Sequence, residues 1–161
     1  MKIENNLSMI AIVISIVAVC LTISQFYIQY LEYENTVRPL IVVSGFDDTS
    51  KILSFIYQNF GSVPNTGGTI RIDVDRNGYD VERLRNNPDL NEQMQIVVPT
   101  QQIGHTIELS QSDLDMTKNG APLFVGILIE YQHYDRTYEY GVILKYSTSL
   151  EDFSIVKSWI K

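Results

Sequence analysis

The stretch GILIEYQHYDRTYEYGVILKY, Gly126–Tyr146, holds two long apolar runs on either side of a polar break, and it decides the fold. Its Ile, Val and Tyr side chains suit a pleated surface better than a helix, where β-branched residues lose rotamer freedom against the preceding turn. Gly126–Tyr131 and Tyr138–Tyr146 are expected to pair as antiparallel strands through a loop around Tyr134–Arg136. Both runs are apolar on both faces, which places them at the centre of a sheet.

Outward from this hairpin, residues 39–161 carry further β-branched and aromatic runs at Leu40–Val43, Leu53–Gln58, Thr69–Val74, Tyr79–Arg83, Met94–Val98, Thr106–Leu109 and Ser154–Ile160. Turn residues punctuate them: Gly61, Pro64, Gly67-Gly68, Asn77-Gly78, Asn87-Pro88, Pro99, Gly104 and Asn119-Gly120. This spacing predicts an all-β, antiparallel sandwich. Asn77-Gly78 lies between two alternating runs and predicts a two-residue hairpin, since both central positions of a type I′ turn need positive φ. The segment Ser112–Met116 is expected to form a helical turn with Ser112 as N-cap.

The N-terminus differs in kind. Between Glu4 and Glu32 there is no charged side chain, and Leu7–Ile28 is almost wholly apolar. A bilayer-spanning helix needs about 20 apolar residues, and aromatic side chains gather at Phe26, Tyr27, Tyr30 and Tyr33 as they do at membrane interfaces. A cleaved signal peptide fits less well, because its apolar core is only about 7–15 residues. The expected division is an N-terminal flank over 1–6, a transmembrane helix over 7–31, a juxtamembrane linker over 32–38 and the β-sandwich over 39–161. Lys2 and the α-amino group favour a cytoplasmic N-terminus over the competing Arg38, and hence a domain outside the cytoplasm.

Within the span, Ser8, Ala11, Ser15, Ala18, Thr22, Gln25 and Gln29 recur at alternating spacings of three and four. Small and hydrogen-bonding side chains on one face let helices approach closely in lipid, so the stripe is expected to pack on other transmembrane helices, of this chain or of a partner. The competing expectation is that Ser and Thr bond back to their own helix.

The Arg38-Pro39 pair, the later Asn59-x-Gly61-x-x-Pro64, and Ile129-x-Tyr131 followed by a turn and the strand at Tyr138 resemble small prokaryotic membrane-anchored proteins of uncharacterised function. That resemblance implies an N-terminal transmembrane helix followed by an immunoglobulin-like β-sandwich, with no catalytic motif.

Composition narrows the chemistry. Among 161 residues, 19 Asp and Glu outweigh 12 Lys and Arg, a formal charge of −7 that repels phosphate backbones and argues against nucleic acid. A lone cysteine, Cys20, excludes an intramolecular disulfide, and with two histidines it cannot build a structural zinc site. No nucleophile elbow, phosphate loop or dinucleotide fingerprint is present, so no enzyme is expected. Asp73, Asp75, Asn77 and Asp80 have the alternating oxygen donors that open a calcium loop, although the glutamate that closes such a loop is missing, with Leu84 in its place. Calcium there, in a membrane-tethered ligand- or cation-binding module, is the alternative to a non-catalytic interaction or accessory subunit. Tyr131, His133, Tyr134, Tyr138 and Tyr140 crowd one hairpin, as a contact surface or as a cross-strand ladder.

Overall fold

The first proline or glycine in the chain is Pro39, and nothing before it interrupts a helix. In the computed structural model, which describes residues 2–49, 52–147 and 152–161, helix α1 runs unbroken over Lys2–Thr36. It therefore continues through most of the expected 32–38 linker. The Thr36 hydroxyl donates to the Glu32 carbonyl at 2.8 Å, and the helix stops short of Arg38, which the following proline disfavours in helical geometry. The chain forms two compact units, Met1–Val37 and Arg38–Lys161.

The second unit contains β1 (Ile41–Thr49), β2 (Ile52–Asn59), β3 (Gly67–Asp75), α2 (Val81–Asn86), a 3-10 turn (Pro88–Leu90), β4 (Asn91–Gln93), β5 (Gln102–Glu108), α3 (Gln111–Lys118), β6 (Phe124–His133), β7 (Arg136–Ser147) and β8 (Asp152–Ile160). Two antiparallel sheets result, ordered β1-β2-β5 and β4-β3-β6-β7-β8. Leu53, Phe55 and Tyr57 of β2 join Val125, Ile127, Ile129 and Tyr131 of β6 and Tyr140, Val142 and Leu144 of β7 in one buried cluster. The hydroxyls of Tyr131 and Tyr140 lie against the β1 backbone at Ile41 and Val43. As expected, β6 and β7 are central strands, turning through Tyr134-Asp135 with His133 opposite Arg136.

Two expected strands are not strands. Tyr79-Asp80 is instead irregular and Val81–Arg83 begins α2, so Asn77-Gly78 closes no hairpin. Gly78 has φ +109° but Asn77 is not among the residues with positive φ, and a type I′ turn requires both. Asp80 accepts from the Glu82 N–H at 2.9 Å as N-cap, and the fully buried Leu84 anchors the helix. Met94–Val98 follows the three-residue β4 without joining a ladder. At Val97 its backbone is held by side chains: Asn59 Nδ2 donates to the Val97 carbonyl at 2.9 Å, and Asn65 Oδ1 accepts from the Val97 N–H at 2.5 Å. The helical turn begins one residue before Ser112, as α3, capped by Ser110.

Candidate functional site

Alternation along β3 sends Ile70, Ile72 and Val74 into the shared core and leaves Arg71, Asp73 and Asp75 on the opposite face of the larger sheet. That face is not bare. Helix α2 packs on β3 and β6, and Leu84, Leu128 and Ile143 are buried outside the main core cluster. Two glycines make the cover possible: a Cβ on Gly126 would collide with the Tyr79 ring, and one on Gly141 with the Trp159 indole.

Charged groups rim this second apolar layer. Arg83 spans Asp73 (3.2 Å) and Asp75 (2.7 Å). The other Asp75 oxygen accepts from the Asn77 N–H at 2.9 Å. Arg76 reaches the other way, donating to Asp113 (2.8 Å) and contacting Met116 Sδ (2.8 Å) on α3. Arg85 donates to both oxygens of Glu139, at 3.0 and 2.6 Å, and also pairs with Glu82 at 2.5 Å. Trp159 Nε1 adds a third bond to Glu139, at 2.5 Å. Arg71 pairs with Glu130 at 2.5 Å.

These partners set the protonation states. The Arg85 hydrogen bond, against opposing burial, holds the Glu139 carboxyl below its ordinary range. The Ser110 hydroxyl, with Arg76, does the same for Asp113. Burial, reinforced by Asp73, pushes the Tyr79 phenol up, and among the described residues its hydroxyl is buried without a hydrogen-bond partner.

Three of the four calcium candidates thus have their carboxylates engaged within the fold. Asp73 and Asp75 face one guanidinium, Asp80 caps α2, and the Asn77 backbone is bound by Asp75. A cation at Asp73 and Asp75 would have to displace Arg83. Among the described residues no three His, Cys, Asp or Glu side chains gather at metal-binding spacing. His105 lies 3.5 Å from Glu92 and packs on Phe55, and His133 Nδ1 lies 3.1 Å from the Pro64 carbonyl.

The aromatic hairpin divides by depth. Tyr131 and Tyr140 belong to the core, and Tyr138 stacks on Tyr131 with centroids 5.5 Å apart while Arg38 sits 6.0 Å from the Tyr138 ring centre. Only Tyr134, 82% exposed at the turn, faces solvent fully. Of the five residues, Tyr131 and Tyr138 form one stacked cross-strand pair, Tyr140 lies opposite Ile129 and His133 opposite Arg136, and Tyr134 is an exposed aromatic tip.

In α1, every described side chain from Met9 to Tyr33 is exposed, including Ser15, Ala18, Thr22, Gln25 and Gln29 of the stripe; the side chains of Ser8 and Ala11 lie outside the described residues. Thr22 donates to the Ala18 carbonyl at 2.9 Å. The hydroxyl is satisfied within its own helix while the small-residue face stays open. An open hollow of about 380 Å³ beside β7 and β8 is lined by Lys145, Tyr146, Ser147, Ser154 and the Gly120–Pro122 backbone, with no acid–base pair.

No protein-family model matches the chain, and no curated protein matches it. Among solved structures, a protein from Archaeoglobus fulgidus is similar over 77% of this chain and 90% of its own, with 13% identity and a TM-score of 0.22.

Proposed function

We propose that this chain is a membrane-anchored, non-catalytic interaction or accessory subunit. A single-pass helix tethers an immunoglobulin-like sandwich outside the cytoplasm and packs through its small-residue stripe on other transmembrane helices. The observation that supports this most is the state of α1. Ile12–Tyr33 is a 22-residue segment whose 18-residue window has a mean hydropathy of 2.0, and no residue in that window is buried in the chain. At ~1.5 Å per residue the segment reaches about 33 Å, matching a hydrocarbon core of about 30 Å. So large an apolar surface needs lipid or another helix around it. In the domain, Arg83 and Arg85 hold α2 to Asp73, Asp75 and Glu139, and Arg76 holds α3 through Asp113.

The test is purification of the full-length protein from its native membrane in mild detergent. Resistance to alkaline carbonate, a co-purifying protein in fixed ratio, and digestion of residues 39–161 by protease added to spheroplasts are the expected results. Release by carbonate, or migration as a lone monomer, overturns it.

A further inference from the structure

The chain enters the domain at Arg38, and three loops meet around that entry. Gly61 packs against the Arg38–Leu40 backbone, and the Phe60 N–H donates to the Leu40 carbonyl at 2.8 Å. The Thr100 N–H donates to the Asn59 carbonyl at 2.8 Å, which draws the Val98–Gln101 turn to the same place. The β6–β7 turn joins them: His133 Nδ1 lies 3.1 Å from the Pro64 carbonyl, and Arg38 sits 6.0 Å from the Tyr138 ring centre.

Each of these loops presents a large apolar side chain to solvent. Alternation along β2 turns Tyr57 and Asn59 inward, and Phe60, next in line, points out with 55% of its surface exposed. Val97 is buried, so its neighbours Ile96 and Val98 turn outward, exposed by 59% and 48%. Tyr134 stands 82% exposed at the tip of its turn, its ring edge-on to His133.

Exposure by itself selects no partner, since Ile52, Met116, Ile155 and Val156 are exposed as well, toward the other end of the strands. Covalent reach selects it. The apolar span ends at Tyr33, and the Val37 N–H still donates to the Tyr33 carbonyl at 2.9 Å, as in a helix. Four helical rises and one further residue therefore put Arg38 no more than about 10 Å beyond the span. A headgroup layer is itself about 5–8 Å deep on each side of the hydrocarbon core. The bound comes from bond geometry alone and holds for any angle between the two units. Whatever surrounds Arg38 is thus held at the bilayer surface, where aromatic and branched apolar side chains partition favourably.

We propose that the loops carrying Phe60, Val98 and Tyr134 make a second, peripheral contact with the bilayer that α1 spans. Their side chains sit at the boundary between headgroups and acyl chains and hold the domain against the membrane instead of leaving it free on its tether. This rests on the membrane-anchor reading and adds a lipid-facing surface to it.

The test uses full-length protein in phosphatidylcholine liposomes, with and without lipid brominated on the acyl chain next to the headgroup, which quenches tryptophan on contact. Tyr134→Trp and Val98→Trp each add one tryptophan to the native Trp159, and Ile155→Trp adds one toward the other end. With the wild-type signal subtracted, the added fluorescence at 134 and 98 should be quenched about twofold or more, and that at 155 hardly at all. Tyr134 is so exposed that its replacement leaves the core untouched, which keeps the result readable should Val98→Trp fold poorly. Flotation of the same liposomes checks α1 separately. Protein that floats while position 134 is quenched no more than position 155 overturns the loop contact and leaves the anchor standing. A disulfide crosslink between two copies of Tyr134→Cys, in a Cys20→Ser background and in place of quenching, overturns it too, in favour of self-association. Protein that does not float overturns both the contact and the anchor.

Discussion

Asn59 and Asn65 hold opposite ends of one residue's backbone: Asn59 donates to the Val97 carbonyl and Asn65 accepts from the Val97 N–H. Asn59 is fully buried and uses both ends of its carboxamide. Its oxygen accepts from the N–H groups of Leu40 (3.1 Å) and Gly61 (2.8 Å), and its nitrogen donates to Val63 (2.8 Å) as well as to Val97. One side chain thus ties the entry of the domain, the turn after β2 and the unladdered Met94–Val98 segment.

Replacing Asn59 with Ala should be among the most destabilising single changes outside the apolar core. It strands up to four backbone groups, at ~1–3 kcal/mol for each that water cannot reach. We expect a loss of about 3 kcal/mol or more for Asn59→Ala and roughly half that for Asn65→Ala, which leaves fewer groups unpaired. Chemical denaturation measures both, and a loss under about 1 kcal/mol for Asn59→Ala would contradict the network.

Gly61 sits where a Cβ would strike the Arg38 carbonyl, the Leu40 nitrogen and the Pro39 Cα, all backbone atoms. Gly45 and Gly104, opposite Ile56 from either side, have nothing within 4 Å of that position. Gly61→Ala should therefore cost about 2 kcal/mol or more, while Ala at Gly45 or Gly104 should be neutral or stabilising by roughly 0.5 kcal/mol. Melting of the three variants side by side checks the order.

Acid should weaken the domain through Glu139 and Asp113. Both have folded pKa values below the ordinary range, from the Arg85 and Ser110 hydrogen bonds respectively. Their stabilisation is complete above the unfolded carboxylate range and is lost as pH falls through the lower folded values, where the unfolded chain binds more protons. The opposite limb belongs to Tyr57, Tyr79, Tyr131 and Tyr140, whose burial raises the phenol pKa. There stability is present below the unfolded value of about 10 and falls as pH rises beyond it. In thermal melts across pH, Glu139→Gln should be less stable near neutrality and show a shallower acid limb; an unchanged acid limb would remove Glu139 from the account.

Calcium should leave the melting temperature unchanged at millimolar concentration, because Arg83 already occupies Asp73 and Asp75 as their shared ion-pair partner. A ligand that binds only the folded state must raise that temperature. A calcium-dependent rise would place a cation on these carboxylates after all.

For α1, Ser15→Leu with Ala18→Leu adds bulk to the stripe without reducing hydrophobicity, so insertion should survive while helix association weakens. Ile12→Phe and Ile16→Phe change size off the stripe and serve as controls. A membrane two-hybrid signal that falls equally for both pairs would reduce the segment to a simple anchor.

Some of this was written locally in the chain. An apolar run without proline or glycine makes a helix by itself, and the two long runs of Gly126–Tyr146 pair across a short turn, so both were legible from residues near one another. The Asn59-x-Gly61 motif was visible too, as a turn, but not its partners. Asn59 meets Val97 across 38 positions, and Gly61 meets the backbone of Arg38 and Pro39.

Tertiary structure decided where local patterns were ambiguous. Over five residues, Tyr79–Arg83 satisfies a strand's alternation as easily as a helix's first turn. The outcome was set by the exposed apolar back of β6 and β7, which Leu84 and Tyr79 cover. Met94–Val98 has strand composition, yet its Val97 backbone groups are taken by two asparagine side chains, so no ladder forms there. Composition determined that this chain would make an apolar helix and antiparallel sheets, because hydrophobicity and side-chain shape act on neighbours. Which backbone groups pair, which carboxylates meet arginines and which apolar side chains stay exposed together depend on segments brought together only when the two sheets close on one core.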